Sequence, residues 1–505
     1  MKKSIIITIL FLCSGVLGFC CQVLYAKYFG AYEDMDINFA ILSLPSIVTG
    51  IVPIIFTSLF LPTFTNYSQN ELRSYISQIF KHIMGFGVVF SVLGLALSIL
   101  NIDSIIAISA DSMRTLAVIL CILYWLNSFF AIINGFLACI HNYYKHFIIV
   151  AVVPLLTYVG ILLSIVTLHG CLGVKSIALG MVVSSVVQVM IYKKNIYNRS
   201  YRKHVIKIEY KVLLKQICFI IVSLLPFTAF GAIAYFWAGH LSAGSVSYLG
   251  YSHSFSGFLS IATSMGVAVV SFPDLANNLN TTDSRKIAET LCAFEKSLMS
   301  VIILTLTIVS FVIQFIGPIL DILLNHGRFD QNSVKSLAAV LPFYFVGGLC
   351  LAILNLLRNV FYSMKKYRDF ALISGIVTLL FFLCAVFMPT GITYVGIGVI
   401  ENSFLFLFAV TSILFLHFKS NEFARFDFII RIIKFIVISV ISAFIAKLIY
   451  DFSKPINDLV AIVICGMIYM VLIVYMSIHL IKIEEIKIYY NYLCVKNKWK
   501  KYQQK

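Results

Sequence analysis

An all-α polytopic membrane protein with about 14 transmembrane helices is the fold class this chain predicts, on three observations. Of its 505 residues 61% are hydrophobic and only 12% charged, with a mean hydropathy of +0.98. A water-soluble domain could not bury that much apolar surface. Apolar stretches of roughly 20 residues recur along the chain, the length that crosses about 30 Å of hydrocarbon as a helix. Lysine and arginine concentrate in every second connection between these stretches. Because backbone groups in lipid must be bonded within the segment, the stretches are read as helices.

The spans are expected near residues 5–26, 38–64, 79–99, 115–140, 147–167, 173–192, 216–237, 244–272, 297–320, 336–362, 370–388, 393–417, 428–449 and 456–481. The first follows Met1-Lys2-Lys3 and stays apolar past Cys20 to Ala26. Bulky Phe19 stands where a cleavable leader needs a small residue, so this stretch reads as a span and not as a signal. Pro45, Pro53 and Pro62 interrupt the second stretch, and a broken or bent helix is expected there. The remaining connections are short, the longest being the basic stretch 194–215 between the sixth and seventh spans.

That basic connection suggests the domain order: an N-terminal six-helix lobe (1–193), a basic cytoplasmic linker (194–215), a C-terminal six-helix lobe (216–420), a C-terminal helix pair (421–482) and a basic cytoplasmic tail (483–505). Of the 38 Lys and Arg residues, only Lys27, Arg114, Lys175, Arg328, Lys335 and Lys454 fall in the opposite set of connections, and Arg358, Lys434 and Lys447 within spans. Positive residues stay on the cytoplasmic side, which places both termini in the cytoplasm of a multi-pass protein and requires an even number of spans.

Several function classes drop out. The net charge of +17 sits mainly beside spans, where topology and anionic lipids account for it, so no nucleic-acid partner is expected. No two of the 12 cysteines stand at C-x-x-C spacing, and most lie in apolar stretches as small core residues. No phosphate-binding loop, H-E-x-x-H or G-x-S-x-G motif is present, which argues against an enzyme, a bound nucleotide cofactor and a resident metal.

Polar residues within the spans are the candidate site. Gly15, Gly18 and Gln22 share one face of the first span; Asp36 opens the second, followed by Ser43, Ser46, Thr49 and Gly50; Ser247, Tyr251 and Ser254 share a face of the eighth, which Ser256, Ser260 and Ser264 continue. Such stripes either pack helices closely or line a water-filled cavity. His253 carries the same two readings. Ionisable groups at membrane depth ask for a reason. Arg358 and Lys447 lie near span ends and can snorkel, Lys434 is intermediate, and Glu401 beside Asn402 is either an ion-coupling or a structural carboxylate.

At several of these positions the chain resembles the MurJ (MviN) flippases of bacterial cell-wall precursors, within the multidrug/oligosaccharidyl-lipid/polysaccharide exporter superfamily. The resembling stretches are Gly18-Phe19, Ala26-Lys27-Tyr28-Phe29-Gly30, Asp36 with Pro45, Gly244-Ser245-Val246-Ser247 with Pro273, Gly327-Arg328-Phe329 and Phe361-Tyr362-Ser363, in family order. The resemblance implies two six-helix lobes around a central cationic cavity, a lipid-facing groove at the C-terminal pair, and alternating-access transfer of an undecaprenyl-pyrophosphate-linked saccharide from the cytoplasmic to the outer leaflet of the bacterial inner membrane. It also implies a monomer whose partners are that lipid and anionic membrane lipids. Coupling would come from Na+, H+ or the membrane potential.

The chain departs from the family where charge matters. Family arginines fall at Gly15, Cys21, Thr49 and Ser254, and the partner of the second of these, an aspartate, at Gln22; Lys27 and Asp36 are kept in type. Either Lys27, His253 or Lys434 supplies the charge, or the cargo differs, for instance a surface-polysaccharide repeat unit. The expected substrate-binding residues are Lys27, Asp36, Gln22, Tyr251, His253 and Ser254, with Glu401 the ion-coupling candidate. An ion-coupled exporter of small cationic compounds and a non-transporting pseudo-flippase are the rival readings.

Overall fold

The computed structural model describes residues 2–64, 67–108, 110–194, 210–279, 284–387, 391–419, 426–452 and 458–477. Most of the basic linker and all of the basic tail lie outside the described residues. The described residues are mostly helix, with no strand among them. In chain order the helices are α1 (Lys2–Phe29), α2 (Glu33–Phe64), α3 (Gln69–Leu100), α4 (Ile102–Ile105), α5 (Asp111–Tyr143), α6 (Phe147–Leu172), α7 (Lys175–Lys194), α8 (Tyr210–Ala238), α9 (Ser245–Asn278), α10 (Ser284–Gln314), α11 (Ile316–Leu324), α12 (Gln331–Ser363), α13 (Tyr367–Val386), α14 (Tyr394–Lys419), α15 (Phe426–Phe452) and α16 (Asp458–Met476).

Thirteen of these helices are long and apolar enough to cross a membrane, and α9, with 34 residues, has the length for a fourteenth. Over the described residues each expected span except the ninth falls on one helix. Large apolar side chains on α3, among them Phe86, Val89, Val92 and Leu97, are exposed in a way that hydrocarbon, not water, would tolerate.

Two local expectations change. Of the broken or bent helix expected for the second span, the break is absent: α2 stays helical through Pro45, Pro53 and Pro62. Neighbouring groups use carbonyls along it, with the Ser128 hydroxyl donating to the Pro45 carbonyl (3.3 Å) and the Thr57 hydroxyl to the Pro53 carbonyl (2.8 Å). The ninth span, expected as one helix over 297–320, does break, with α10 ending at Gln314 and α11 starting at Ile316. Pro318 explains the position, because its ring meets the carbonyl four residues earlier, at Gln314, and it has no N–H to give.

Helix ends follow local chemistry. Gly30 (φ +70°) closes α1 and Gly173 (φ +57°) closes α6, in a left-handed conformation that favours glycine. The Ser68 amide donates to the Glu71 carboxylate (3.1 Å), capping α3. The Ser333 hydroxyl and amide donate to Asp330 at the start of α12, holding that carboxyl below the ordinary aspartate range.

The chain forms two compact units. Unit one comprises 1–258, 324–344 and 366–408; unit two comprises 259–323, 345–365 and 409–505. The lobes inferred from sequence follow chain order, whereas this division follows packing and passes through α9, α12 and α14.

In unit one, small residues let helices approach closely. A β-carbon on Gly135 of α5 would sit 3.4 Å from the Pro53 Cα of α2, and one on Gly180 of α7 would sit 2.9 Å from the Gly160 carbonyl of α6. The core between α2 and α5 is aromatic, with Phe136 edge-on to both Phe56 and Phe60 at 5.6 Å. In unit two, α15 and α16 pack on each other and on α10. Ser310 of α10 bonds Ser439 of α15 (3.0 Å), and the Tyr469 hydroxyl of α16 donates to the Thr307 carbonyl (2.8 Å). Lys447 does not stand free at its span end: its Nζ lies 4.5 Å from the Tyr450 ring centre and 3.6 Å from Asp451 Oδ1.

Candidate functional site

Within unit one, α1, α2, α6, α7, α8 and α9 surround a cavity of about 380 Å³. Its polar lining comes from Gln22, Asn38, Ser43, Ser46, Thr157, Thr228, His253 and Ser254, and its aromatic lining from Tyr25, Phe39, Tyr158 and Tyr235. No Asp, Glu, Lys or Arg is among the lining residues.

The glycine stripe of α1 serves both readings offered by the sequence. A β-carbon on Gly15 would press the Phe258 ring at 3.0 Å and one on Gly18 the Tyr158 ring at 3.0 Å, so these two positions are packing. One turn later Gln22 faces the cavity, and its Oε1 is buried without a hydrogen-bond partner. Opposite in chemistry is Asn38 of α2, which sequence inspection missed. Its Oδ1 accepts from the Tyr124 hydroxyl (2.5 Å), while its Nδ2 is buried and unpartnered. An amide inside an apolar stretch, two residues after Asp36, was the available signal.

The hydroxyls of α2 and α9 are largely self-satisfied. Ser43 donates to the Ala40 carbonyl (2.6 Å), Ser46 to Ser43 (2.6 Å), Thr49 to Ser46 (3.1 Å) and Ser254 to Gly250 (2.9 Å). Their oxygens keep acceptor capacity toward the cavity or the packing around them, while their protons are already used.

His253 lies between Tyr235 and Tyr344, each ring centre 6.4 Å from its own. Glu401 of α14 is 2% exposed and accepts the Tyr344 hydroxyl at 2.5 Å. The bare face of Gly231, on α8, holds these groups close to one point: a β-carbon there would sit 3.2 Å from His253 Nε2 and 3.7 Å from Glu401 Oε1. Glu401 thus stands behind the cavity wall that Gly231 and His253 form.

Three expected ligand residues are elsewhere. Asp36, 4% exposed, accepts the Gly244 amide (2.6 Å), the Ser247 amide (2.7 Å) and the Ser247 hydroxyl (2.5 Å). These donors open α9, so Asp36 caps a helix more than 200 positions away in the chain and opposes the positive end of its dipole. Tyr251 is fully buried, with its hydroxyl donating to the Gly30 carbonyl (2.8 Å). Lys27 is exposed; its carbonyl accepts the Arg328 amide (3.0 Å), and its Nζ lies 5.5 Å from the Tyr28 ring centre. Arg328 in turn pairs with Asp34 (3.3 Å) and covers the Tyr32 ring (4.9 Å).

The stretches 26–30, 244–247 and 327–329, with Asp36, therefore meet in one knot outside the cavity lining. The expected group divides: Gln22, His253 and Ser254 line the cavity, Glu401 stands behind it, and Lys27, Asp36 and Tyr251 tie the knot. Packing is the reason. The three donors that Asp36 accepts and the carbonyl that the Tyr251 hydroxyl meets hold both side chains in the knot.

The positions at which the resemblance places arginine are packed in different ways, and Ser254 among them lines the cavity. Gly15 has an aromatic ring against it, Cys21 is buried with its thiol 3.7 Å from the Tyr158 carbonyl, and Thr49 bonds its own helix. Of the substitute cations, His253 alone lines the cavity; Lys434 is an exposed residue of unit two.

Comparison with known proteins agrees with this fold. The family described as "Lipid II flippase MurJ" matches residues 25–478. A probable lipid II flippase MurJ of Borreliella burgdorferi is 24% identical over 90% of this chain and 90% of its own length. One of Buchnera aphidicola subsp. Baizongia pistaciae is 22% identical over 73% of this chain and 74% of its own. A solved structure described as "Lipid II flippase MurJ, inward closed conformation" superposes with a TM-score of 0.76 at 19% identity, covering 94% of this chain and 100% of that one. The chain belongs to the lipid II flippase MurJ family, whose members are transporters and not enzymes.

Proposed function

We propose that this multi-pass protein of the bacterial inner membrane carries an undecaprenyl-pyrophosphate-linked saccharide from the cytoplasmic to the outer leaflet by alternating access. The observation that carries the reading is the cavity of neutral hydrogen-bonding groups and aromatic faces, enclosed by apolar helices, in a chain of this family. A saccharide loses many hydrogen bonds on entering hydrocarbon, and a polar wall at membrane depth replaces them. The polyprenyl tail has no such need and stays in lipid. Both termini in the cytoplasm, supported by the lysine and arginine distribution, complete the topology. The protein works as a monomer, its basic connections against anionic headgroups. Glu401 is the coupling group for Na+ or H+, supported by its burial and its single hydroxyl donor Tyr344.

The neutral residues at Gly15, Cys21, Thr49 and Ser254 favour one refinement: a cargo other than the cell-wall precursor, such as a surface-polysaccharide repeat unit. Complementation tests both levels. Expressed in cells depleted of their own cell-wall flippase, the chain should rescue growth poorly, and in cells lacking a surface-polysaccharide flippase it should restore export. Full rescue of the first strain overturns the refinement; failure in both overturns the flippase reading.

A further inference from the structure

We infer that the ion taken up by Glu401 is a proton, and that it reaches the carboxylate from the cavity by way of His253, across the bare face of Gly231. The inference rests on the reading of Glu401 as the coupling group and names its ion and its route.

Three observations meet at one point. Gly231 belongs to the cavity lining, and the place where its β-carbon would stand lies 3.2 Å from His253 Nε2 and 3.7 Å from Glu401 Oε1. The ring on the cavity wall and the carboxylate behind it thus approach one point that no side chain of Gly231 fills. His253 also lines the cavity, and among the described residues neither of its ring nitrogens has a hydrogen-bond partner. Phenylalanine would pack as well between Tyr235 and Tyr344. An imidazole with both nitrogens open can instead take a proton at one and release a proton at the other near neutral pH. Glu401 keeps its Oε1 unpartnered among the described residues, while Oε2 accepts the Tyr344 hydroxyl.

The groups around the carboxylate suit a proton and not a metal cation. The titratable side chains that face it are Tyr344 of α12, Tyr235 of α8 and His253 of α9. A hard cation is held by a shell of several oxygens, and among the described residues no group of three or more His, Cys, Asp or Glu side chains gathers to hold one. Protonation also removes a lone charge from a site 2% exposed. In the step itself, a proton from cavity water adds to one ring nitrogen of His253 and the other nitrogen releases its own toward Glu401 Oε1, directly or through one water. The carboxylate becomes a neutral acid, one positive charge enters, and no bond between heavy atoms changes.

The test follows the Glu401 carboxyl by infrared spectroscopy after a pH jump, on the full chain in lipid nanodiscs, with its C=O band identified as the one lost in Glu401→Gln. Gly231→Ala puts a methyl group between the two titrating side chains, and His253→Ala removes the relay; each should slow the band's response about a hundredfold. Added imidazole should restore the rate in His253→Ala and not in Gly231→Ala, a rescue that a merely structural histidine would not show. Sodium should leave the band's midpoint pH unchanged. An undiminished rate in either folded variant, or no rescue by imidazole, overturns the route, and a sodium-dependent midpoint overturns the proton as the ion. Both results leave Glu401 as the coupling group, whereas a spectrum with no band lost in Glu401→Gln removes that reading as well. If Gly231→Ala does not fold, His253→Ala with its imidazole rescue decides.

Discussion

Replacing Asp36 by alanine tests whether this residue caps a helix or binds cargo. Its carboxylate takes three donors from the start of α9, at 2.5 to 2.7 Å, in a site 4% exposed. Hydrogen bonds to a charged group contribute about 1.5–3 kcal/mol each, but three that secure one helix end are not independent. Loss of a helix cap costs about 0.5–2 kcal/mol, and stranding two buried amides adds to it, so about 3 kcal/mol is the working figure. That corresponds to roughly a hundredfold rise in local opening, at 1.4 kcal/mol per tenfold. Hydrogen exchange followed by mass spectrometry on residues 244–249 reads it directly. Asp36→Asn, which keeps one acceptor oxygen, should fall between wild type and alanine. Unchanged exchange in a folded Asp36→Ala protein would refute the cap. Loss of lipid binding without faster exchange would return Asp36 to the ligand set.

Two further outcomes follow from the geometry. Gly30→Ala should destabilise the protein by about 2 kcal/mol or more, because left-handed backbone costs an L-residue about 1–2 kcal/mol and the new β-carbon would sit 2.7 Å from the Arg328 carbonyl oxygen. Gly85→Ala, with nothing within 4 Å, serves as the neutral-to-stabilising control in the same thermal melt. Glu401→Gln keeps an acceptor for Tyr344 and removes the ionisable proton, so transport into liposomes should persist but stop responding to imposed Na+ and H+ gradients. A preserved gradient response would remove Glu401 from coupling.

The site was legible in part. Gln22 and Ser254 stand out because a polar residue on one face of an apolar helix announces itself at 3.6-residue spacing, His253 as a histidine beside Ser254 in an apolar span, and all three line the cavity. Lys27 and Asp36 are candidates because they are kept in type within the resembling stretches, a signal that does not distinguish a ligand from a cap. Asn38 went unnoticed because its role depends on Tyr124, 86 positions away, holding one end of the amide and leaving the other open.

By itself the sequence determined the solvent and the order of the apolar helices, and its flanking charges carry the expected orientation. Each depends on properties carried within some 20 residues, namely apolar length, backbone self-satisfaction and flanking charge. The break at Pro318 is equally local. Tertiary structure alone decided which polar residues are spent and which are open. That choice depends on donors brought from distant segments, such as the Gly244 and Ser247 amides on Asp36, which no reading of one 20-residue window contains.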